Sequence, residues 1–541
     1  MLAVIRPETR HRRRWPLVAT SVLAVAVLAA ACDSGSTSSP SSSAVPASEE
    51  NPNAQVEGAL PDNAVADAVS KLDGLVQSMM RDTGIPGMAV AVVSGGETKY
   101  AKGFGVADVT TGASVNADTV FPLASMSKSI GSTVIASQVT NKTVSWDDQV
   151  AAALPGFALA DPYVTRTVTV ADMYTHRSGL PDHAGDKIED LGYPRAVVLN
   201  RLRYAPLQPF RITYDYTNFG ITAGAESVAN RSGRDWETLS EESIYRPLGM
   251  TRTSSRFRDF TARDNRVVGH VQVDGKWVVT FKQRDPDAQA PAGGVSSSVN
   301  DLTHWLTMLM AQGTYQGKQL VAPEALLPAI TPQIVSSPSS APDARAGFYG
   351  YGFNVSVTAG GRTQVSHSGA FGSGAATNFL VLPSADVAIV VLSNASPIGA
   401  VEAITGEFAD LVQFGEVRHD WRTLYRQAFD AENQPSGSLV GKPRPANPAP
   451  AQALSSYVGT YANSMYGPAV VREQGGKLVL AMGPGGVTTH ELTHWDGNTF
   501  TFTLRNENAE LGSISKVTFD GPRMVIEYYD DEENDGVFTR Q

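Results

Sequence analysis

The sequence predicts an α+β protein: an antiparallel sheet flanked by helices, followed by a small C-terminal all-β barrel. Three observations carry this. Two strand-like runs meet at a Gly95-Gly96 turn, and three more cluster around residue 380, so one sheet drawn from both ends of a domain is expected. Helical patterns bracket those strands on either side. After residue 453 the pattern changes to short alternating runs between Gly and Asn turns, which reads as a barrel or sandwich of about 90 residues. At 541 residues the chain exceeds one ordinary domain, and 42% hydrophobic against 18% charged residues fits a core-forming protein.

Residues 1–31 stand outside the fold. Arg6, Arg10, Arg12, Arg13 and Arg14 make a basic start, and "LVATSVLAVAVLAAA" (residues 17–31) follows without a charge. That run is too short for a comfortable membrane span and suits an export signal. Cys32, the one cysteine of the chain, comes next. A cysteine directly after small residues resembles the lipobox of bacterial lipoproteins, which implies cleavage before Cys32 and lipidation on it. A plain signal peptide is the alternative, and the arginines leave twin-arginine export open. Residues 32–60 are rich in Ser and Pro and read as a disordered tether. The leader carries five Arg and one Glu, so the remainder of a chain with net charge −11 sits near −15. So acidic a chain argues against nucleic acid as a partner, and none is expected. The expected partners are a small-molecule or peptide substrate and a membrane, held through the lipid on Cys32. The expected location is the outer face of a bacterial membrane.

The main domain is expected over residues 61–420. "AVADAVSKLDGLVQSMMR" places apolar residues at helical spacing. "GMAVAVVSGG" and "TKYAKGFGVADV" are the early strands; "TQVSHSG", "AATNFLVLP" and "VAIVVLSN" are the late ones. "GAVEAITGEFADLVQF" closes the domain as a helix. Residues 421–452 are expected as a linker, Pro-rich from residue 433. Residues 453–541 supply six or more strands, among them "AVVREQGGKLVLAM", "NTFTFTL" and "RMVIEYY".

The chemistry centres on Ser125-Met126-Ser127-Lys128 at the start of a helical stretch. Residues i and i+3 share a helix face, so the Ser125 hydroxyl and Lys128 amine sit side by side. A serine hydroxyl is a weak nucleophile until a base takes its proton, and a lysine can be that base once burial or positive charge lowers its pKa. Free N–H groups at a helix start can also hold an oxyanion. The motif alone is weak: Ser513-Ile514-Ser515-Lys516 repeats it in an apparent strand, where i and i+3 face apart.

Partners give it weight. Tyr216-Thr217-Asn218 follows Ser125 by 91 residues, and His367-Ser368-Gly369 follows Tyr216 by 151. With these, the chain resembles the serine beta-lactamase and penicillin-binding-protein superfamily, specifically its class C-like branch, which carries Ser-x-x-Lys, Tyr-x-Asn and Lys/His-x-Gly in that order. "IPGMAVAVV", "MYTHRSGLP", "PLGMTRT" and "PAGGVSSSVNDL" are similar to segments of that family. The resemblance implies an all-α region beside the sheet, with the site between them. It implies catalytic Ser125, Lys128 and Tyr216, with either Lys128 or Tyr216 as base. Asn218, His367, Ser368 and Gly369 would bind substrate, and the N–H groups of Ser125 and Ala370 would form the oxyanion hole. No cofactor is implied. Histidine at 367, where many beta-lactamases carry lysine, is a weaker fixed cation. Histidine there resembles family members that act as D-amino-acid-type peptidases, carboxypeptidases or esterases, so the resemblance implies one of these ahead of a beta-lactamase. The C-terminal strands resemble a lipocalin-like module that gates the cleft, binds a ligand or merely packs.

Two further patterns are weighed against this. Tyr461-Ala462-Asn463 is a second Tyr-x-Asn but precedes its Ser-x-x-Lys. His490-Glu491-Leu492-Thr493-His494 matches a zinc-protease signature that needs a helix; here it reads as strand, where four residues span about 13 Å and the imidazoles separate. No metal site is expected. A catalytically silent binding lipoprotein is the alternative of another class.

Overall fold

The computed structural model describes residues 58–504, 506–530 and 535–541. The expected signal, Cys32 and nearly all of the tether lie outside the described residues. Among the described residues, no helix is long and apolar enough to cross a membrane.

The sheet assembles from both ends of the domain, as the runs predict. Strands β1 (Gly87–Ser94) and β2 (Glu97–Gly105) come early. Strands β3 (Ile334–Ser337), β4 (Gly347–Tyr349), β5 (Asn354–Val357), β6 (Thr363–Phe371), β7 (Ala375–Leu382) and β8 (Val387–Ser393) come late. Their order across the sheet is β2-β1-β8-β7-β6-β5-β4-β3, with every pairing antiparallel. The short strands β3 to β5 extend an edge that the sequence pattern did not reveal.

Both faces of the central strands are covered, which explains why β1 and β8 read as nearly continuous apolar runs. In helix α1 (Ala64–Thr83), Ala64, Ala68, Leu72, Val76 and Met79 recur at three- and four-residue intervals and are buried. With helix α5 (Ala400–Phe414), α1 covers Met88, Val90 and Val92 of β1 and Ile389 and Val391 of β8. The alternate residues Ala89, Ala91, Val390 and Leu392 face helices α2 (Met126–Thr140) and α4 (Val299–Met310). Helix α3 (Asn218–Ser232) and several helices of four to seven residues form the all-α region beside the sheet.

Residues 421–452 were expected as linker throughout, and the first part corrects this. Trp421–Glu432 is helix α6. It docks on α5, where the Trp421 indole Nε1–H donates to Asp410 at 2.9 Å and Arg422 pairs with Glu407 at 2.7 Å. Its apolar face is narrow between charges, so the Pro-rich stretch after it masks its helical period.

The C-terminal part is a closed eight-stranded barrel: β9 (Gly459–Ala462), β10 (Ala469–Gln474), β11 (Lys477–Met482), β12 (Thr488–Asp496), β13 (Thr499–Thr503), β14 (Ile514–Asp520), β15 (Arg523–Ile526) and β16 (Val537–Arg540). Closure leaves no free sheet edge. Leu478, Leu480, Phe500, Phe502, Phe519 and Phe538 fill it, and the same apolar cluster continues into Leu180, Ile188 and Leu191 of the all-α region. The barrel therefore shares a core with the domain that carries Ser125.

Candidate active site

Ser125 is the residue before helix α2, and the turn that presents it is strained. Ala124, fully buried, adopts φ 47°, a left-handed conformation that a β-carbon disfavours. The turn survives because its surroundings fix it. The Thr377 hydroxyl of β7 donates to Leu123 O at 2.8 Å. Gly369 of β6 presses on the same turn: a β-carbon there would lie 2.2 Å from Leu123 O and 2.9 Å from Ser125 N. Only glycine lets β6 come this close. The first helical N–H groups turn back, Met126 to Leu123 O, Ser127 to Ala124 O and Lys128 to Ser125 O. The N–H of Ser125 is thus left facing β6. Strand β5 pairs with residues 363–366 alone, so the 367–371 edge of β6 has no partner strand beside the nucleophile. This is the space where Ser125 N–H and Ala370 N–H are expected to meet an oxyanion.

Lys128 lies one turn on and is fully buried. Its Nζ is 2.9 Å from Ser125 Oγ, 2.7 Å from Asn218 Oδ1 and 3.0 Å from Ala292 O. Burial without a touching carboxylate lowers its pKa to about 7, against an opposing pull from the Asp186 charge. The ammonium also stands over the Tyr216 ring, 4.6 Å from its centroid.

Tyr216 and Asn218 come from the entry to α3. The Tyr216 hydroxyl is buried beside Ser125 but forms no hydrogen bond of good geometry. Burial pushes this phenol well above its usual value, with Ser125 pulling weakly the other way. The Asn218 amide is oriented by its neighbours: the Asp186 carboxylate accepts from Nδ2 at 2.8 Å, which turns Oδ1 to receive a hydrogen bond from Lys128 Nζ. That leaves one Nδ2 hydrogen for a substrate.

Three groups of this site escaped the sequence reading. Asp186 is buried, and its Oδ2 also meets His183 Nδ1 at 2.7 Å. The half-exposed His183 loses protonation to burial but gains more from that carboxylate, so its pKa rises to about 9. His176 packs under Tyr216, ring centroids 4.5 Å apart. Its Nδ1 accepts from Thr217 N at 3.1 Å, which puts its proton on Nε2. Burial, then Lys128, hold it neutral. The strings "THRSG" and "PDHAGD" contained all three, but the contacts that tie Asp186 and His176 to the site are with residues 32 and 41 positions away.

His367 and Ser368, expected to bind substrate, both have hydrogen-bond partners within the protein. His367 is buried, with Nε2 2.8 Å from the Tyr349 hydroxyl and Nδ1 2.6 Å from Ser368 O. Nδ1–H donates, Nε2 accepts, and the ring has no free nitrogen for a substrate carboxylate. Burial, reinforced by Lys128, drops its pKa to about 3. Ser368 points to the opposite face, where Asn378 Nδ2 donates to its Oγ at 2.8 Å and Thr405 of α5 donates to Asn378 Oδ1 at 2.7 Å. Strand alternation explains this: with residues 367 and 369 toward Ser125, 368 turns away. Gly369 and Ala370 remain at the site through backbone.

The competing patterns sort by geometry. His490 and His494 lie on strand β12; His490 packs on Phe502 with ring centroids 4.2 Å apart, and His494 meets Gly497 O and Arg444. Ser513 holds Ser436 N outside the barrel. Tyr461 is a barrel core residue bonded to Tyr457 O.

Comparison with known proteins agrees with the architecture. A family model described as Beta-lactamase matches residues 72–413, more than half of the chain. A second, a domain of unknown function (DUF3471), matches residues 443–524. The unguisins hydrolase ungD of Aspergillus violaceofuscus is 26% identical over 83% of this chain and 85% of its own length. Protein flp of Staphylococcus aureus (strain COL) is 21% identical over 44% of this chain and 48% of its own. The octameric penicillin-binding protein homologue from Pyrococcus abyssi has the same fold, with TM-score 0.56 and 19% identity over 85% of this chain and 98% of that one. The chain belongs to the Beta-lactamase family of serine hydrolases.

Proposed function

We propose that the protein hydrolyses esters or amides through an acyl-enzyme on Ser125, with Lys128 as base. The observation that carries this is a fully buried lysine amine 2.9 Å from the Ser125 hydroxyl oxygen. In its neutral form Lys128 accepts the Ser125 proton while Oγ attacks the carbonyl carbon. The N–H groups of Ser125 and Ala370 receive the oxyanion. Lys128, with Tyr216 as the adjacent hydroxyl, returns the proton to the leaving oxygen or nitrogen, and water then releases the acyl group. Asn218 holds the acyl side through its second amide hydrogen.

The charges favour a leaving side without a carboxylate. His367 is neutral and occupied, and the protonated His183 is already paired with Asp186. A carboxypeptidase would need a free cation for the substrate terminus. We therefore favour an esterase or an amidase of D-amino-acid-type peptides over a carboxypeptidase or an efficient beta-lactamase. The class C-like motifs and a hydrolase among the relatives support the reading. The test is intact-mass analysis after a fluorophosphonate, with Ser125→Ala as control, followed by rates on an acyl-D-alanyl-D-alanine and its amide. A Ser125 adduct and at least tenfold preference for the amide are expected; preference for the free carboxylate would refute the substrate assignment, and no adduct on folded protein would refute the nucleophile.

The leader supports export and lipidation of Cys32, facing outside the cytoplasm. Expression in a bacterial host should yield a membrane-bound product, and Cys32→Ser should release it to a soluble fraction; membrane retention of that variant would exclude the anchor.

A further inference from the structure

Beyond Ser125 and its neighbours, one contact joins the barrel to the oxyanion side of the cleft. The turn after β6 runs through Gly372 and Ser373 into β7. Gly372 lies two residues past Ala370. Its N–H donates to Glu507 Oε1 at 2.5 Å, and Glu507 belongs to the barrel segment between β13 and β14. The contact is short for an N–H···O hydrogen bond. On its other side the turn is braced against Gly269 and His270: a β-carbon on Gly269 would lie 2.2 Å from Ser373 O, and one on Gly374 2.2 Å from His270 N. Arg284 completes the clamp. Its guanidinium stands 5.1 Å from the Phe371 ring centroid and bonds Glu189 at 2.8 Å. Burial raises the Glu507 pKa, against the opposing pull of the Arg284 charge.

We propose that Glu507 is a positioning residue for the oxyanion hole: by holding Gly372 N–H, the barrel fixes the end of β6 that carries Ala370. The proposal rests on Ser125 being acylated. Its logic is mechanical. Residues 367–371 have no partner strand on their outer edge, so their position depends on β7, on the Gly369 contact and on this turn. An oxyanion donor must lie about 2.7–3.1 Å from the developing oxyanion, and losing one costs roughly 10²–10³ in rate. Loosening the turn, with the donor still present, should cost less than deleting it. The effect belongs on kcat, because the oxyanion forms only in the transition state.

The test compares the full-length protein with Glu507→Ala, Glu507→Gln and Asn508→Ala. Glutamine keeps an acceptor for Gly372. Asn508 sits on the same segment and donates to Asp190 at 2.7 Å, so its loss perturbs docking without touching the turn. The readouts are the rate of Ser125 labelling by a fluorophosphonate, kcat and KM on an activated ester, and the thermal midpoint. Glu507→Ala should slow labelling and kcat about tenfold with KM within twofold, while Glu507→Gln and Asn508→Ala stay within threefold of wild type. Equal loss in Asn508→Ala, a fall confined to KM, or no loss in Glu507→Ala would overturn the proposal while the acyl-enzyme stands. Wild-type protein that fails to label would remove the hydrolase reading itself, and this role with it.

Discussion

The acid limb of the pH–rate profile should report Lys128. Its pKa of about 7 comes from burial, opposed by Asp186; the usual lysine value is about 10.4. A lysine lacking this shift would be neutral in fewer than one molecule in a thousand at pH 7, and a buried one is neutral in about half. The neutral fraction should be about 0.9 at pH 8, 0.1 at pH 6 and 0.01 at pH 5. The second-order rate of fluorophosphonate labelling should therefore fall tenfold per pH unit below about 7. The measurement is that rate from pH 5 to 9, with circular dichroism showing folded protein at each point. Lys128→Met should lower the plateau by about 10²–10⁴ and erase the limb, since this is the scale of general-base catalysis. Glu189 also titrates near 7, raised chiefly by burial against the pull of Arg284, but it does not touch Ser125. Glu189→Gln should leave the limb in place. A flat profile down to pH 5, or a limb near 7 that persists in Lys128→Met, would refute Lys128 as base. A rate still rising tenfold per pH unit at pH 9 would instead point to Tyr216, whose phenol burial holds protonated at neutral pH.

Three further outcomes follow from the same geometry. Asp186→Asn removes the charge that holds the Lys128 pKa up, so the acid limb should move below its wild-type position; an upward shift would show the coupling has the wrong sign. Gly369→Ala places a β-carbon 2.2 Å from Leu123 O, and should lower the stability by about 1–3 kcal/mol and labelling by more than tenfold; a wild-type labelling rate would mean β6 does not pack as tightly as described. Asp172 is buried and bonded to Arg177, Arg211 and the Thr169 N–H, so Asp172→Ala should cost about 3–5 kcal/mol in denaturant unfolding, and a loss under 1 kcal/mol would contradict that network's role.

The strands of β1, β2, β6, β7 and β8 and the barrel's alternating runs were legible because their period, length and turns agree. Strands β3 to β5 were not, since three or four residues carry no period and their partners decide them. That omission reached the site. His367 reads as a substrate ligand until Tyr349, on the short β4, supplies its hydrogen bond. The turn of Ser368 away from the cleft was within reach of sequence, because alternation from His367 dictates it. Ser125, Lys128, Tyr216 and Asn218 come together as the motif order implies. Asp186 and His176 gain meaning only from residues far along the chain, which one sequence cannot pair.

The resting charges explain how such a site can bind a neutral substrate and still stabilise an anion. Burial keeps Lys128 half neutral near pH 7 and keeps His367 and His176 uncharged. The protonated His183 is already paired with Asp186. When Lys128 takes the serine proton, a positive charge appears beside the forming oxyanion, and that attraction exists only in the transition state. A buried ammonium is costly, so it needs a counter-charge nearby. Asp186 supplies one at one remove, through the Asn218 amide that bonds both groups. Direct contact would lock Lys128 as a cation and end its use as a base, whereas no carboxylate at all would make its protonated state too expensive. Asn218 sets the intermediate distance. An aspartate at 218 would put a carboxylate against Nζ, raise the lysine pKa and move the activity to alkaline pH.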